Sequence, residues 1–452
     1  MKKLCLFLII SKLAFAQTIS FEEALNQTIE NSKDLQKQKI NIDIAKTNSD
    51  FIDGLNFGKV SLNSDISRTN HSGYVFMGKL SSREATFKDF GFDLNIRDMN
   101  IAPKDLNYPE AYTSINSYIS YDLPLFTGFA LYHQKGILKL QEKANEILYN
   151  LDKKTLEFEV LKAYNSAVLA KDFVKTMQKA KDTIGFIKNG AKEFHKNGLV
   201  TKIDVNEAEL YFLNTNSNLI EAENNFKLSL AYLKFLTSNE NISDVENLQN
   251  TYLEIKEFED LYKIALKNRD EITLQNISIE ANNKNIKANQ GSYYPSVFTH
   301  LEYGYNDDKF STSKDKDYYM ALLGISLTLF DGTRSANLEK SRLEYLKAKL
   351  DFEKLQDGIK LEVQKAILDY KAKQEILKEK ILASELASSV LNQAKLQYKN
   401  RLISMTTLLS QETNYRQSQT MLLNAKYENS LALARLNLVL GQNLQKDYKW
   451  DF

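Results

Sequence analysis

The 452-residue chain carries 59 Lys and Arg against 58 Asp and Glu, a formal net charge of +1, with four prolines and one cysteine. That balance supplies no bulk attraction for nucleic acid, and the lone Cys5 excludes an internal disulfide or zinc–thiolate framework. So few prolines favour uninterrupted helices over loop-rich globules.

Residues 1–16 have the parts of an export signal: Lys2 and Lys3, an apolar core from Leu4 to Ile10, and Ala14-Phe15-Ala16 as a cleavage site. Cleavage would remove Cys5 and three of the 59 basic residues (Lys2, Lys3 and Lys12), leaving 56 against 58 acidic ones, a net charge of about −2. No later apolar run reaches the roughly eighteen residues of a transmembrane helix.

From Ile19 to about Phe51, the apolar positions Phe21, Leu25, Ile29, Leu35, Ile40, Ile42 and Ile44 recur mostly at helical spacing. From Val60 the period falls to two, with Val60, Leu62, Ser64 and Ile66 opposing Ser61, Asn63, Asp65 and Ser67. Residues 113–125 repeat that pattern: Ile115, Ile119, Tyr121, Leu123 and Leu125 oppose Ser114, Asn116, Tyr118, Ser120 and Asp122. The spacing predicts two strands that are apolar on one face. Between them, Arg68 to Ala111 reads as a long loop bearing Tyr74, Phe76, Phe87, Phe90 and Phe92. Its aromatics would pack on themselves, cap an opening or bind an external ligand.

After Gly128 a helical period runs to about Lys196, a helix of about 100 Å at 1.5 Å per residue. Asn197-Gly198-Leu199-Val200-Thr201 reads as a tight reversal. Asp204 then serves as an N-cap or first-turn acid for a returning helix that ends near Leu236. Residues 237–256 read as a connector.

At Phe258 the scheme restarts. Phe258, Asn268 and Glu271 follow Phe21, Asn31 and Asp34 by 237 residues, and Val297 follows Val60 by the same interval. Beyond the strands the interval shortens: Phe330 follows Phe126, and Tyr398 follows Phe194, by 204. The predicted organisation is a first repeat over 17–236, a connector over 237–256 (equatorial in the family resemblance given below), and a second repeat with a C-terminal tail over 257–452. The second strand pair keeps the alternation. Val297, Thr299, Leu301, Tyr303 and Tyr305 oppose His300, Glu302 and Gly304, and Tyr319, Ala321, Leu323, Ile325, Leu327 and Leu329 oppose Ser326 and Thr328.

Strands of a soluble sandwich would alternate in the same way, but an exported chain with four such strands has few ways other than lipid to bury those faces. Four strands cannot close a barrel, so either the sheet is open or several copies share one barrel. Helices of such length need neighbours in a coiled-coil-like wall.

Three features stand out together: Tyr294-Pro295-Ser296 entering the third strand, Leu125-Phe126-Thr127-Gly128 and Leu329-Phe330-Asp331-Gly332 launching the long helices, and the reversal at Asn197–Thr201 followed by Asp204. In their tandem order the chain resembles the TolC-type outer-membrane efflux protein family over essentially all of its mature length. The resemblance implies an α+β membrane protein. Each tandem-repeat protomer gives four β-strands to a trimeric transmembrane β-barrel of about twelve strands, continued by a long periplasmic α-helical coiled-coil tunnel.

It further implies a homotrimer set in outer-membrane lipid and docked to a periplasmic adaptor (membrane fusion) protein. The adaptor would be served by an inner-membrane RND-type pump or ABC exporter, so the protein would be the passive exit duct of a tripartite efflux pump or a type I secretion system. Family likeness assigns the adaptor-docking tip to Gly198, Leu199, Val200, Thr201, Arg401, Leu402, Ile403 and Ser404. It assigns the periplasmic gate to Asp204, Arg401, Thr407 and Ser410. Arg401 stands where a Gly is common, and Thr407 and Ser410 stand where relatives often carry aspartates. A charge pair between Asp204 and Arg401 of neighbouring reversals is expected to help hold the gate. The strand-to-helix corners fall at Pro124, Phe126, Gly128, Pro295, Phe330 and Gly332, with Gly128 and Gly332 expected to permit the turns and Pro124 to stand where its strand leaves the ladder.

No enzymatic activity, cofactor or metal is implied. His71, His133, His195 and His300 lack metal-ligand spacing, and no phosphate-binding or hydrolase motif occurs. A secreted structural coiled-coil or adhesin-like protein is the alternative, and it accounts for the helices alone. Trp450 and Phe452 read as an incidental aromatic end.

Overall fold

A computed structural model of the chain describes residues 17–92, 98, 100–247 and 257–442. The expected export signal, much of the connector, and the tail with Trp450 and Phe452 lie outside the described residues. In chain order the first elements are β1 (Gln17–Ile19), α1 (Phe21–Asn31), α2 (Lys33–Asn56), β2 (Lys59–Thr69), α3 (Ser72–Ser81), α4 (Lys104–Asn107), β3 (Tyr112–Thr127), α5 (Ala130–Lys196) and α6 (Lys202–Thr237). There follow β4 (Ile242–Val245), α7 (Phe258–Asn268), α8 (Asp270–Gln290), β5 (Ser296–Asp307), β6 (Asp317–Ser326), α9 (Arg334–Lys399) and α10 (Met405–Val439).

The chain divides into two compact units. One comprises the segment up to Asn41, Asn145–Asn276 and the segment from Leu350 onward. Its helices pack through three apolar clusters, centred on Tyr164 and Leu233, on Val363 and Leu436, and on Ile184 and Leu409. The expected first helix is broken at Ser32. There the backbone turns extended (φ −58, ψ 119) and the Ser32 hydroxyl accepts from the Leu35 amide at 3.3 Å, which starts α2 as a new helix. A matching break separates α7 from α8 at Arg269, whose guanidinium pairs with Glu271 and Glu362.

The segment read as a connector contains a strand. β4 pairs in parallel with β1, Ile19 opposite Val245. Such short strands, far apart in sequence, carry no local signature. Their pairing is stitched by Tyr164, wholly buried in α5, whose hydroxyl lies 2.8 Å from the Ile19 carbonyl and 3.0 Å from that of Glu246. Burial pushes this phenol up, keeping it a neutral donor.

The other unit comprises Ile42–Ala144 and Ile277–Lys349. It holds an antiparallel sheet in the order β2-β3-β5-β6. The register aligns Leu62, Ile119, Tyr303 and Tyr319 across the four strands. β6 stops at Ser326, short of the expected Leu327 and Leu329. Its partner on β5 at that point is Ser296, and the preceding Pro295 has no N–H with which to extend the ladder.

Tyr164→Phe is expected to lower unfolding stability by about 1–2 kcal/mol, because it leaves buried carbonyls without their donor; denaturant titration of the purified protein measures it, and an unchanged midpoint would show that the β1–β4 pairing does not depend on the hydroxyl.

Candidate functional site

The period-two alternation sends successive side chains of the sheet to opposite faces, and in this sheet the faces differ sharply. One carries Val60, Leu62, Ile119, Leu301, Leu323 and Ile325, and it is bare: Leu62 is 79% exposed and Ile325 71%. The other carries a polar network. His300 Nδ1 lies 2.6 Å from an Asp122 carboxylate oxygen, and Nε2 lies 3.2 Å from Glu302. The Tyr318 hydroxyl bridges Glu302 and Asn116, and Ser114 donates to Asn306 at 3.3 Å. Among the described residues, neither β2 nor β6 has a partner on its outer edge.

The long loop folds against the outer end of the polar face. Helix α3 packs on β3 and β5 so closely that a Cβ on Gly78 would come within 3.1 Å of the Tyr112 ring. The attachment is mostly ionic and backbone-directed. Arg83 donates to the carbonyls of Asp315 and Asp317 at 2.7 and 2.6 Å. Lys316 donates to the Ser82 carbonyl and the Glu84 carboxylate at 2.7 and 2.8 Å. The Glu84, Asp307 and Asp308 carboxylates gather within 4.8 Å of one another, with Lys316 Nζ 3.5 Å from Asp307. The loop aromatics meet in edge-on pairs, Phe76 with Phe90 and Phe87 with Phe92, yet Phe87 stays largely exposed. Self-packing was legible from the sequence; the seating of α3 on the polar face was not.

The two corners, alike in sequence, differ in build. At the first, Gly128 adopts φ +62 and a Cβ there would stand 2.3 Å from the Gly291 carbonyl oxygen; Phe129 follows, also left-handed at φ 66. Only glycine fits such a position. At the second, Gly332 lies outside the left-handed region with open space around its would-be Cβ, so the expectation that it licenses the turn is corrected. Asp331 does that work, accepting from both the amide and the hydroxyl of Thr333 at 2.8 Å. Pro124 does not end its ladder either: it pairs with Phe298, and a bulge falls between Pro124 and Phe126. Pro295 immediately precedes β5, and Phe330 is almost wholly exposed.

The two reversals share one geometry. Gly198 (φ 71) and Arg401 (φ 61) occupy the left-handed position, each amide bonding three residues back to His195 and Tyr398. The next amides, of Leu199 and Leu402, reach five residues back to Phe194 and Gln397, which makes both ends Schellman caps. Thr201 and Ser404 then cap α6 and α10. Asp204 closes its capping box, its carboxylate accepting from the Thr201 amide and hydroxyl at 2.8 and 2.7 Å. Thr407 holds the equivalent position in α10, its amide donating to Ser404 at 3.1 Å.

Among the described residues no ion pair joins Asp204 to Arg401 within one chain. Leu199, Leu402, Thr407 and Ser410 are exposed, while Val200 and Ile403 are half-buried. Thr406 ties the hairpins together by donating to Glu207 at 2.9 Å. Below the tip Glu412 is 2% exposed, with Arg416 at 3.7 Å, and burial pushes its carboxyl up.

Residues 261–442 match the family described as outer membrane efflux protein. Known structures share the fold over nearly the whole chain. CusC, described in terms of transmembrane channel formation, superposes with a TM-score of 0.78 at 13% identity, covering 95% of this chain and 93% of its own. The Campylobacter jejuni CmeC outer membrane channel gives 0.75 at 14% identity, with 95% and 87% covered. The open-state Neisseria gonorrhoeae MtrE outer membrane channel gives 0.75 at 15%, with 94% and 90% covered. No curated protein sequence matches the chain.

Gly128→Ala is expected to lower the thermal midpoint and folded yield, whereas Gly332→Ala is expected to leave both near wild type; equal losses would show that the second corner also needs glycine. Because the native Glu412 carboxyl holds its proton to higher pH than it would in the unfolded chain, its contribution to stability is greatest at low pH and falls as pH rises through the native value. Glu412→Gln should therefore stabilise the protein at pH 8 and not at pH 4, as read from unfolding midpoints; a pH-independent effect would refute the assignment.

Proposed function

We propose that the chain, whose residues 261–442 match the family described as outer membrane efflux protein, is an outer-membrane exit duct. In this reading three copies join their sheets edge to edge into one barrel, and the long helices continue it as a periplasmic tunnel. The observation that carries the reading is the two-faced sheet. Its bare apolar face suits lipid, its networked polar face suits a water-filled lumen, and its two open edges suit closure by identical neighbours. A secreted coiled-coil rod would leave that sheet unexplained.

The partners proposed with it are a periplasmic adaptor at the tip and an inner-membrane pump or exporter that supplies the energy. Leu199 and Leu402, 43% and 72% exposed, give the tip apolar anchors for such an adaptor. Arg401 sits in the left-handed region at a cost of about 1–2 kcal/mol relative to glycine. That cost would be offset if its guanidinium pairs with Asp204 of a neighbouring copy in the closed tip.

The long loop, with α3 across the polar face, is proposed as an outer constriction held by Arg83 and Lys316. Cargo class, whether small molecule or secreted polypeptide, would be set chiefly by the energised partner.

Detergent-extracted protein is expected in the outer-membrane fraction as a trimer that forms discrete channels in planar bilayers; recovery as a soluble periplasmic rod would sink the proposal. In the same recordings Arg83→Ala with Lys316→Ala should raise conductance by freeing the loop, and Arg401→Ala or Asp204→Ala should raise closed-state conductance. Unchanged currents in either set would remove the corresponding constriction.

A further inference from the structure

One row on the polar face of the sheet differs chemically from its neighbours. Lys59 on β2, Asp122 on β3, His300 on β5 and Leu322 on β6 stand opposite one another across the four strands. His300 links two carboxylates, with Asp122 2.6 Å from one ring nitrogen and Glu302 3.2 Å from the other. Glu302 has a side chain only 11% exposed and is fixed by the Tyr318 hydroxyl, which also lies 2.9 Å from Asn116. The groups opposite Glu302 are Ser120 and Met320. Lys59, facing Asp122, is therefore the only permanent cation in the row among the described residues.

The charge arithmetic follows directly. With a neutral imidazole, Lys59, Asp122 and Glu302 sum to one negative charge per protomer; protonating His300 cancels it. An imidazole between two carboxylates donates to both only when protonated, so the link itself changes with the proton. Fixed charges lining a pore with low-dielectric walls act strongly on passing ions, and imidazole is the side chain that changes charge near neutral pH.

We propose that Asp122, His300 and Glu302 form a proton-titrated charge filter in the lumen. Three copies make a ring that favours cations when His300 is neutral and becomes indifferent to sign when it is protonated. The inference rests on the duct reading. It assigns specificity-determining residues to the barrel.

Reversal potentials under a KCl gradient in planar bilayers, taken from pH 5 to pH 9, test it. Wild-type channels should prefer cations at the alkaline end, with the permeability ratio falling toward unity at the acid end. His300→Gln should keep the preference at every pH, and the near-isosteric Glu302→Gln should weaken it at every pH while retaining the Tyr318 contact. A pH response that survives in His300→Gln, or a preference unaltered in Glu302→Gln, overturns the filter and leaves the duct intact. Failure of the wild-type trimer to form any channel overturns the duct reading itself, and the filter with it.

Discussion

Everything in the strand-bearing unit turns on backbone hydrogen bonding. A four-stranded antiparallel sheet satisfies its inner strands but leaves a row of N–H and C=O groups along each outer edge, here β2 and β6. In water such edges invite aggregation, and in lipid they are forbidden. The bare apolar face made by Leu62, Leu323 and Ile325 adds a second demand of the same kind. In the proposed duct, joining identical sheets edge to edge would pair the open edges, and lipid would cover the apolar face. The polar side is then left with the enclosed surface, and it is on that side that the chain spends Asp122, His300, Glu302 and the packing of α3.

The helices carry the same argument without strands. Along α9, Leu343, Leu346, Leu350, Leu361 and Leu368 are each more than half exposed. A 66-residue helix with such a stripe has more apolar surface than its own chain covers, and a coiled-coil-like neighbour is the economical cover. Where apolar packing is completed within the chain, as around Ile184, Leu391 and Leu409, it secures the two reversals. Those reversals reach one backbone geometry through different residues, glycine in one and Arg401 in the other. The more strained of the two places a permanent cation at the tip.

Periodicity alone determined the two long helices and the four alternating strands, because each is a local pattern of side chains that must face water or avoid it. The bounds of α5 were legible to the residue, from Gly128 at one end and Asn197-Gly198 at the other. Three kinds of feature needed the tertiary structure. The β1–β4 pairing joins short strands far apart in the chain, so no local pattern announces it. The corners share a motif yet differ, since Gly128 is required by the carbonyl of Gly291, a distant residue, while Gly332 meets nothing. The polar row was visible only as alternation: strand periodicity says which face His300 occupies, but register decides that Asp122 and Glu302 flank it. Sequence sets which way a side chain points; only the fold sets what it meets there.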